Sequence, residues 1–223
     1  MSIPSLAADP EVEALVARAV AAQQYFASWT EARVDALLQD IAECVAERAE
    51  HLAAAAVAET GIGNVSDKTI KNRFASLGVY RALAGKPGAG LLQRAAEQRS
   101  AEVTSPVGVI LGLIPMTSPA ATFVSKTLLA LKERNALILS CHRNALTVGN
   151  QTGQLIQQAL QRHGAPLDLV QWVREPTSRA RSMQLMRHKD IALILATGES
   201  SLVKAAYRSG TPAIGVEQGN AKI

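Results

Sequence analysis

The sequence predicts an α/β protein: helices in the N-terminal region, then a doubly wound parallel sheet covered on both faces. Three observations carry this. Residues 1–86 repeat apolar side chains at the three-to-four spacing of one helix face. From residue 91, five short, continuously apolar runs alternate with helix-length amphipathic stretches. Hydrophobic residues make up 48% of the 223, enough for a real core and too many for a disordered chain.

The elements follow in order. Asp9-Pro10-Glu11 is a helix start, with Asp as N-cap, Pro at the first helical position and acid in the first turn. Val12, Leu15, Val16 and Ala19 form the apolar face behind it. Thr30 caps a second helix with Val34, Leu37, Leu38, Ile41 and Val45 as its stripe. That helix is expected to run to about Glu59, where Gly61 and Gly63 end it. Ser66 is read as the cap of a third helix ending near Gly85, and Gly85–Gly90 as a loop. Leu91–Arg94 and Ala101–Ser105 suggest a short hairpin. The strands are then Val107–Ile114, Ala136–Ser140, Leu169–Val173, Ile191–Ala196 and Ala213–Val216, with helices over 119–134, 144–163, 177–188 and 199–209. Right-handed crossovers make this a Rossmann-like sheet. Residues 1–90 and 91–223 are expected as two regions of one structural domain.

Composition excludes several classes. No apolar run approaches the roughly 18–20 residues of a membrane helix. The first 15 residues have no basic or long apolar segment of a secretory signal, so a reducing cytoplasm is the expectation. Cys44 and Cys141 are the only cysteines, which excludes a disulfide scaffold, and the four histidines lack metal spacing. Cys44 reads as a buried small hydrophobe. For Cys141, a buried thiol and a reactive one stay open.

Charge is uneven. Residues 1–60 hold three basic and ten acidic residues; the remainder holds 20 basic and 9 acidic. An anionic partner (a dinucleotide, coenzyme A or nucleic acid), a solvated basic surface, and packing of the two halves on each other all fit. Aromatic residues are only 4%, too few for a stacking platform, so no nucleic acid is expected.

In a doubly wound sheet, ligands bind beyond the carboxyl ends of the strands. Those ends carry Pro115-Met116-Thr117-Ser118-Pro119, Ser140-Cys141-His142-Arg143, Thr197-Gly198-Glu199-Ser200-Ser201 and Glu217-Gln218-Gly219-Asn220. Thr197–Ser201 opens a helix, where free N–H groups suit a phosphate, although Glu199 opposes one. Ser200 as a plain cap and Ser200 as a ligand contact are equal alternatives. His142 and Arg143 stand where an acid usually holds a ribose; a ribose or 2′-phosphate contact and an ordinary loop both fit. Neither a GxGxxG turn after a strand nor a GxxxxGK[ST] loop is present.

A family resemblance rests on specific stretches: Glu59-Thr60-Gly61-Ile62-Gly63, Asp67-Lys68-Thr69-Ile70-Lys71-Asn72 with Phe74-Ala75-Ser76, and Pro106-Val107-Gly108-Val109-Ile110. It continues through Lys132-Glu133-Arg134-Asn135-Ala136, Ile194-Leu195-Ala196-Thr197-Gly198, Val203-Lys204-Ala205-Ala206-Tyr207 and Pro212-Ala213-Ile214-Gly215-Val216. The chain resembles the cofactor-binding, N-terminal part of the CoA-acylating aldehyde dehydrogenases, including the aldehyde half of the bifunctional aldehyde–alcohol dehydrogenases. The resemblance implies NAD or NADP as cofactor, coenzyme A as co-substrate and a small aldehyde as substrate once a catalytic domain is present. It implies cofactor contacts at Pro115, Met116, Ser140, His142, Thr197, Gly198, Ser200, Ser201, Val203 and Gly219. Ser118 and Thr117 fall where the family helps hold the developing oxyanion, with Ser118 in place of an Asn. Val216 falls where hydrolytic relatives carry a general-base Glu. The family's Thr-Gly-Gly-Pro-Gly has become Thr197-Gly198-Glu199-Ser200-Ser201, and its Gly-Ala-Gly-Asn has become Glu217-Gln218-Gly219-Asn220. The family's cysteine and catalytic domain lie beyond Ile223, so the 223-residue chain alone is expected to be inactive and truncated. A homo-oligomer is one expected partner state. The alternative reading is a degenerate, non-catalytic module that pairs with a full-length dehydrogenase.

Overall fold

The computed structural model describes residues 9–95, 100–176 and 178–216. Helix α1 (Pro10–Phe26) starts at Asp9, whose carboxylate accepts the Glu11 N–H at 3.0 Å. Helix α2 (Glu31–Glu47) is capped by the Thr30 hydroxyl. The single helix expected to reach Glu59 is instead two, because Arg48 leaves helical geometry (φ −97°, ψ 10°) and a separate helix, α3 (Ala49–Thr60), follows it. No Gly or Pro marks the break. The apolar stripe simply continues through Ala49, Leu52 and Ala56, all buried, now facing α4 and α7.

Helix α4 (Val65–Arg73) is capped by Asn64, whose side chain accepts the Asp67 N–H at 2.8 Å; Ser66 lies inside the helix. A π-helical turn, Phe74–Gly78, leads into α5 (Val79–Leu83). Strands β1 (Gly90–Ala95) and β2 (Ser100–Thr104) form the expected antiparallel hairpin.

The main sheet contains β3 (Val109–Ile114), β4 (Ala136–Cys141), β5 (Val170–Trp172), β6 (Ile191–Thr197) and β7 (Ala213–Val216). All four pairings are parallel, in the order β5-β4-β3-β6-β7. The connecting helices are α6 (Pro119–Lys132), α7 (Leu146–Arg162), α8 (Arg179–Arg187) and α9 (Ser200–Tyr207). The chain winds outward from β3 through β4 to β5, then returns to β6 on the other side, so the topological switch lies between β3 and β6.

Three glycines, two on strands and one on a helix, bring the helices close to the sheet. A Cβ on Gly112 of β3 would lie 2.7 Å from Leu139 and 3.4 Å from Lys126 of α6. On α7, a Cβ at Gly153 would lie 2.6 Å from the Trp172 ring. Leu139 pairs with both Gly112 and Trp172, so α6 and α7 share one face. Gly215 lies under Val203 and Tyr207 of α9, which places α9 on the opposite face.

The charge asymmetry is partly internal. Lys132, its side chain 2% exposed, lies between Glu31 at 2.5 Å and Asp35 at 2.6 Å. Arg134, at a left-handed φ of 54°, donates to the carbonyls of Trp29 and Ala89 and to Glu31. Asn135 accepts the Gly108 N–H at 3.0 Å. Arg162 grips Asp40 with two hydrogen bonds, and Arg181 meets Asp9 and Glu11. The Lys132–Asn135 stretch therefore ties the acidic helices to the sheet.

Candidate functional site

A cleft of about 530 Å³ opens at the carboxyl ends of the central strands, beside the topological switch. Each wall follows from a strand ending. Beyond β3, Pro115, Met116, Thr117 and Ser118 line the cleft before Pro119 starts α6. Ser118 is the N-cap of α6 yet caps no N–H; its hydroxyl pairs with the Thr122 hydroxyl at 3.1 Å. The end of β4 contributes Ser140 and Cys141 and the next residue is His142, whose Nδ1 accepts the Asn144 N–H at 3.2 Å. Thr197 ends β6, Gly198 and Glu199 follow it, and Val216 of β7 closes that side.

Most of the residues expected from sequence meet here. Three do not. Ser200 and Ser201 are exposed in the first turn of α9, outside the lining. Val203 is buried and packs toward Gly215, so its side chain supports β7 and does not face the cleft. The N-cap of α9 is Glu199 and not Ser200, and its side chain makes no capping bond. Gly219 and Glu217 lie outside the described residues.

Ile62, Ser182, Met186 and Leu202 also line the cleft and were not anticipated. They come from helices and a loop, not from strand ends. The one sequence signal was the four-residue spacing of Ser182 and Met186, which puts both on one side of α8.

The electrostatics are mixed. The first turn of α9 presents positive helix-end character beside Gly198, while Glu199 adds a carboxylate. Under the floor, the Lys126 Nζ donates to the carbonyls of Leu113 at 2.7 Å and Leu195 at 2.5 Å. Burial pushes its pKa down to about 7. Lys126 was not singled out from sequence. Cys141 is buried, and a Cβ on Gly149 would touch its sulfur. Burial, with help from Glu59, pushes the Cys141 thiol up to about 12, so it stays protonated and unreactive. Cys44 is half-buried, donates to the Ile41 carbonyl and is pushed up to about 11 by burial. Among the described residues no His, Cys, Asp and Glu group could hold a metal, and no helix is long and apolar enough to cross a membrane.

Comparison with known proteins decides the family. The family model for the aldehyde dehydrogenase family matches residues 2–219. The chain belongs to the aldehyde dehydrogenase family. It is 42% identical over 213 residues to the bifunctional aldehyde-alcohol dehydrogenase AdhE of Escherichia coli K12, covering 96% of this chain and 24% of that protein. It is 40% identical over 219 residues to a sulfoacetaldehyde dehydrogenase (acylating) of Cupriavidus necator, covering 97% of this chain and 44% of that protein. The crystal structure of an acetylating aldehyde dehydrogenase from Geobacillus thermoglucosidasius superposes with a TM-score of 0.91 at 42% identity, over 95% of this chain and 46% of that one. The chain thus spans less than half the length of these relatives. Two more distant structures hold ligands. An engineered glycolyl-CoA reductase carries NADP+ (TM-score 0.79, 31% identity; 94% of this chain, 47% of that one). A Rhodopseudomonas palustris propionaldehyde dehydrogenase carries CoA (TM-score 0.77, 30% identity; 92% of this chain, 46% of that one).

Proposed function

We propose that this chain is the dinucleotide-binding part of a CoA-acylating aldehyde dehydrogenase, acting in the cytoplasm. The observation that carries the reading is the cleft itself: it lies at the switch point and gathers the Pro115–Ser118, Ser140–His142 and Thr197–Gly198 strand ends. Its lining suits NAD+ or NADP+. Apolar walls from Leu113, Met116, Met186 and Leu202 fit flat rings, and hydroxyls of Ser140, Ser182 and Thr197 fit ribose and phosphate oxygens. When bound, the nicotinamide supplies a hydride acceptor and coenzyme A supplies the thiol that takes the acyl group.

In this reading Thr197 and Gly198 lie along the pyrophosphate at the start of α9, and Ser140 and His142 along the adenosine. Pro115 and Met116 border the nicotinamide end, and Thr117 and Ser118 orient the aldehyde oxygen. Ser118 offers a hydroxyl where the family has an amide; in other enzymes the loss of one such donor costs on the order of 10²–10³ in rate. In this reading the catalytic thiol comes from outside these residues, and burial raises the pKa of both cysteines.

The test is calorimetric titration of the purified chain with NAD+ and NADP+ at low salt. Binding of roughly −4 to −8 kcal/mol is expected, the millimolar to micromolar class. No heat with either cofactor overturns the reading. One observation favours a second reading, a non-catalytic module that pairs with a full-length dehydrogenase: Glu199 puts a carboxylate in the cleft where the phosphates would approach. That reading predicts co-purification with a dehydrogenase subunit and no dinucleotide affinity.

A further inference from the structure

The stretch Asp67–Asn72 contributes no wall to the cleft, yet it holds a buried cation. Lys68 is 8% exposed, and its Nζ donates to the Thr117 carbonyl at 2.7 Å. Lys71, on the same helix, is the charged group that acts on it, and it repels. Burial and this repulsion hold the Lys68 pKa below the ordinary lysine range. An ammonium buried beside a like charge is unfavourable unless its hydrogen bond compensates. The backbone makes room for it. Gly63 adopts φ +75°, and a Cβ there would meet the Lys68 Cε at 3.2 Å.

We propose that Lys68 is a positioning residue for the cleft, its ammonium fixing the Thr117–Ser118 peptide at the turn between β3 and α6. A trans peptide is planar, so a Thr117 carbonyl held toward α4 sends the Ser118 N–H the opposite way. The Ser118 hydroxyl is held separately by Thr122. The turn is therefore fixed from two helices: its carbonyl from α4 and its hydroxyl from α6. The consequence for ligand binding rests on the reading above, in which Thr117 and Ser118 face the reacting end. The ordering of the turn does not rest on it.

Amide hydrogen exchange on the whole chain tests the ordering. Lys68→Met keeps the length of the stem and removes the charge. Exchange at Thr122, whose N–H donates to the Ser118 carbonyl at 3.0 Å, and at Phe123 in the same first turn of α6 is expected to rise about tenfold or more, the scale of a lost charge-assisted hydrogen bond. Lys68→Arg keeps a cationic donor and is expected to hold these amides within about threefold of the parent. Lys71→Met, an exposed neighbour, is expected to leave them unchanged. An unchanged turn in Lys68→Met, or exchange raised evenly through α3, α4 and α6, assigns Lys68 to packing alone and overturns the proposal. In a second arm, Lys68→Met weakens NAD+ binding about tenfold while Lys68→Arg does not. If the parent binds neither NAD+ nor NADP+, the dinucleotide reading falls, and the exchange arm still decides the role of Lys68.

Discussion

The ammonium of Lys126 bridges two strand carbonyls beneath the cleft, and burial alone lowers its pKa, from 10.5 to about 7. The unfolded chain therefore binds more protons between these two values. Stability through this group rises as pH climbs from about 7 toward 10.5. The expected outcome is that Lys126→Met gains most over the parent near neutral pH and loses that advantage by pH ~10. Urea melts of both proteins across this range check it. Glu199 carries the second residue-scale prediction. Glu199→Gly removes a carboxylate facing the proposed phosphate path and is expected to tighten NAD+ binding about tenfold at low salt, less at high salt. Calorimetry at two ionic strengths reads both effects. Neither residue's role was equally visible in the sequence. Glu199 declared itself through its place after a strand. Lys126 sat in an unremarked helical stretch, because nothing local says that its stem crosses the face left bare by Gly112.

Helix α7 begins without a cap of its own: Ala145 at its start offers no side-chain bond. The carboxylate of Glu59, at the end of α3, accepts the N–H groups of Thr147 at 2.8 Å and Val148 at 3.0 Å instead. This borrowed cap suits the helix dipole as well as the orphan donors. Glu59→Ala is expected to lower stability by about 1–2 kcal/mol without closing the cleft, measured by thermal and urea unfolding. Gly153→Ala drives a methyl into the Trp172 ring and is expected to cost about 1–3 kcal/mol by the same measurements. The strands and crossovers were legible because buried parallel strands read as continuous apolar runs bounded by helix-length segments. The break at Arg48 was not, since the apolar stripe runs through it and no helix breaker is present. The cap at Asn64 was missed for a subtler reason. Asn64 and Ser66 are both good caps, and only the Asp67 N–H in the folded chain chooses between them.

At the scale of the molecule, the acidic helices and the basic remainder neutralise part of each other. Lys132 is the centre of this, with Glu31 and Asp35 on either side. Lys132→Met removes the ammonium from Asp35 and leaves Glu31 with Arg134, and is expected to cost about 2 kcal/mol, read as a lower urea midpoint. The charge count left an anionic partner, a solvated basic surface and packing of the two halves on each other all open, and the fold shows that one partner is the chain itself. That choice depends on residues far apart in sequence meeting across the fold. The same separation governs how the protein is made. Asp35 leaves the ribosome 97 residues before Lys132, and Asp9 leaves 172 residues before Arg181. The helical layer is thus synthesised before the sheet and completed only after it. Its acidic faces wait, solvated and mutually repelling, until the sheet that neutralises them has emerged.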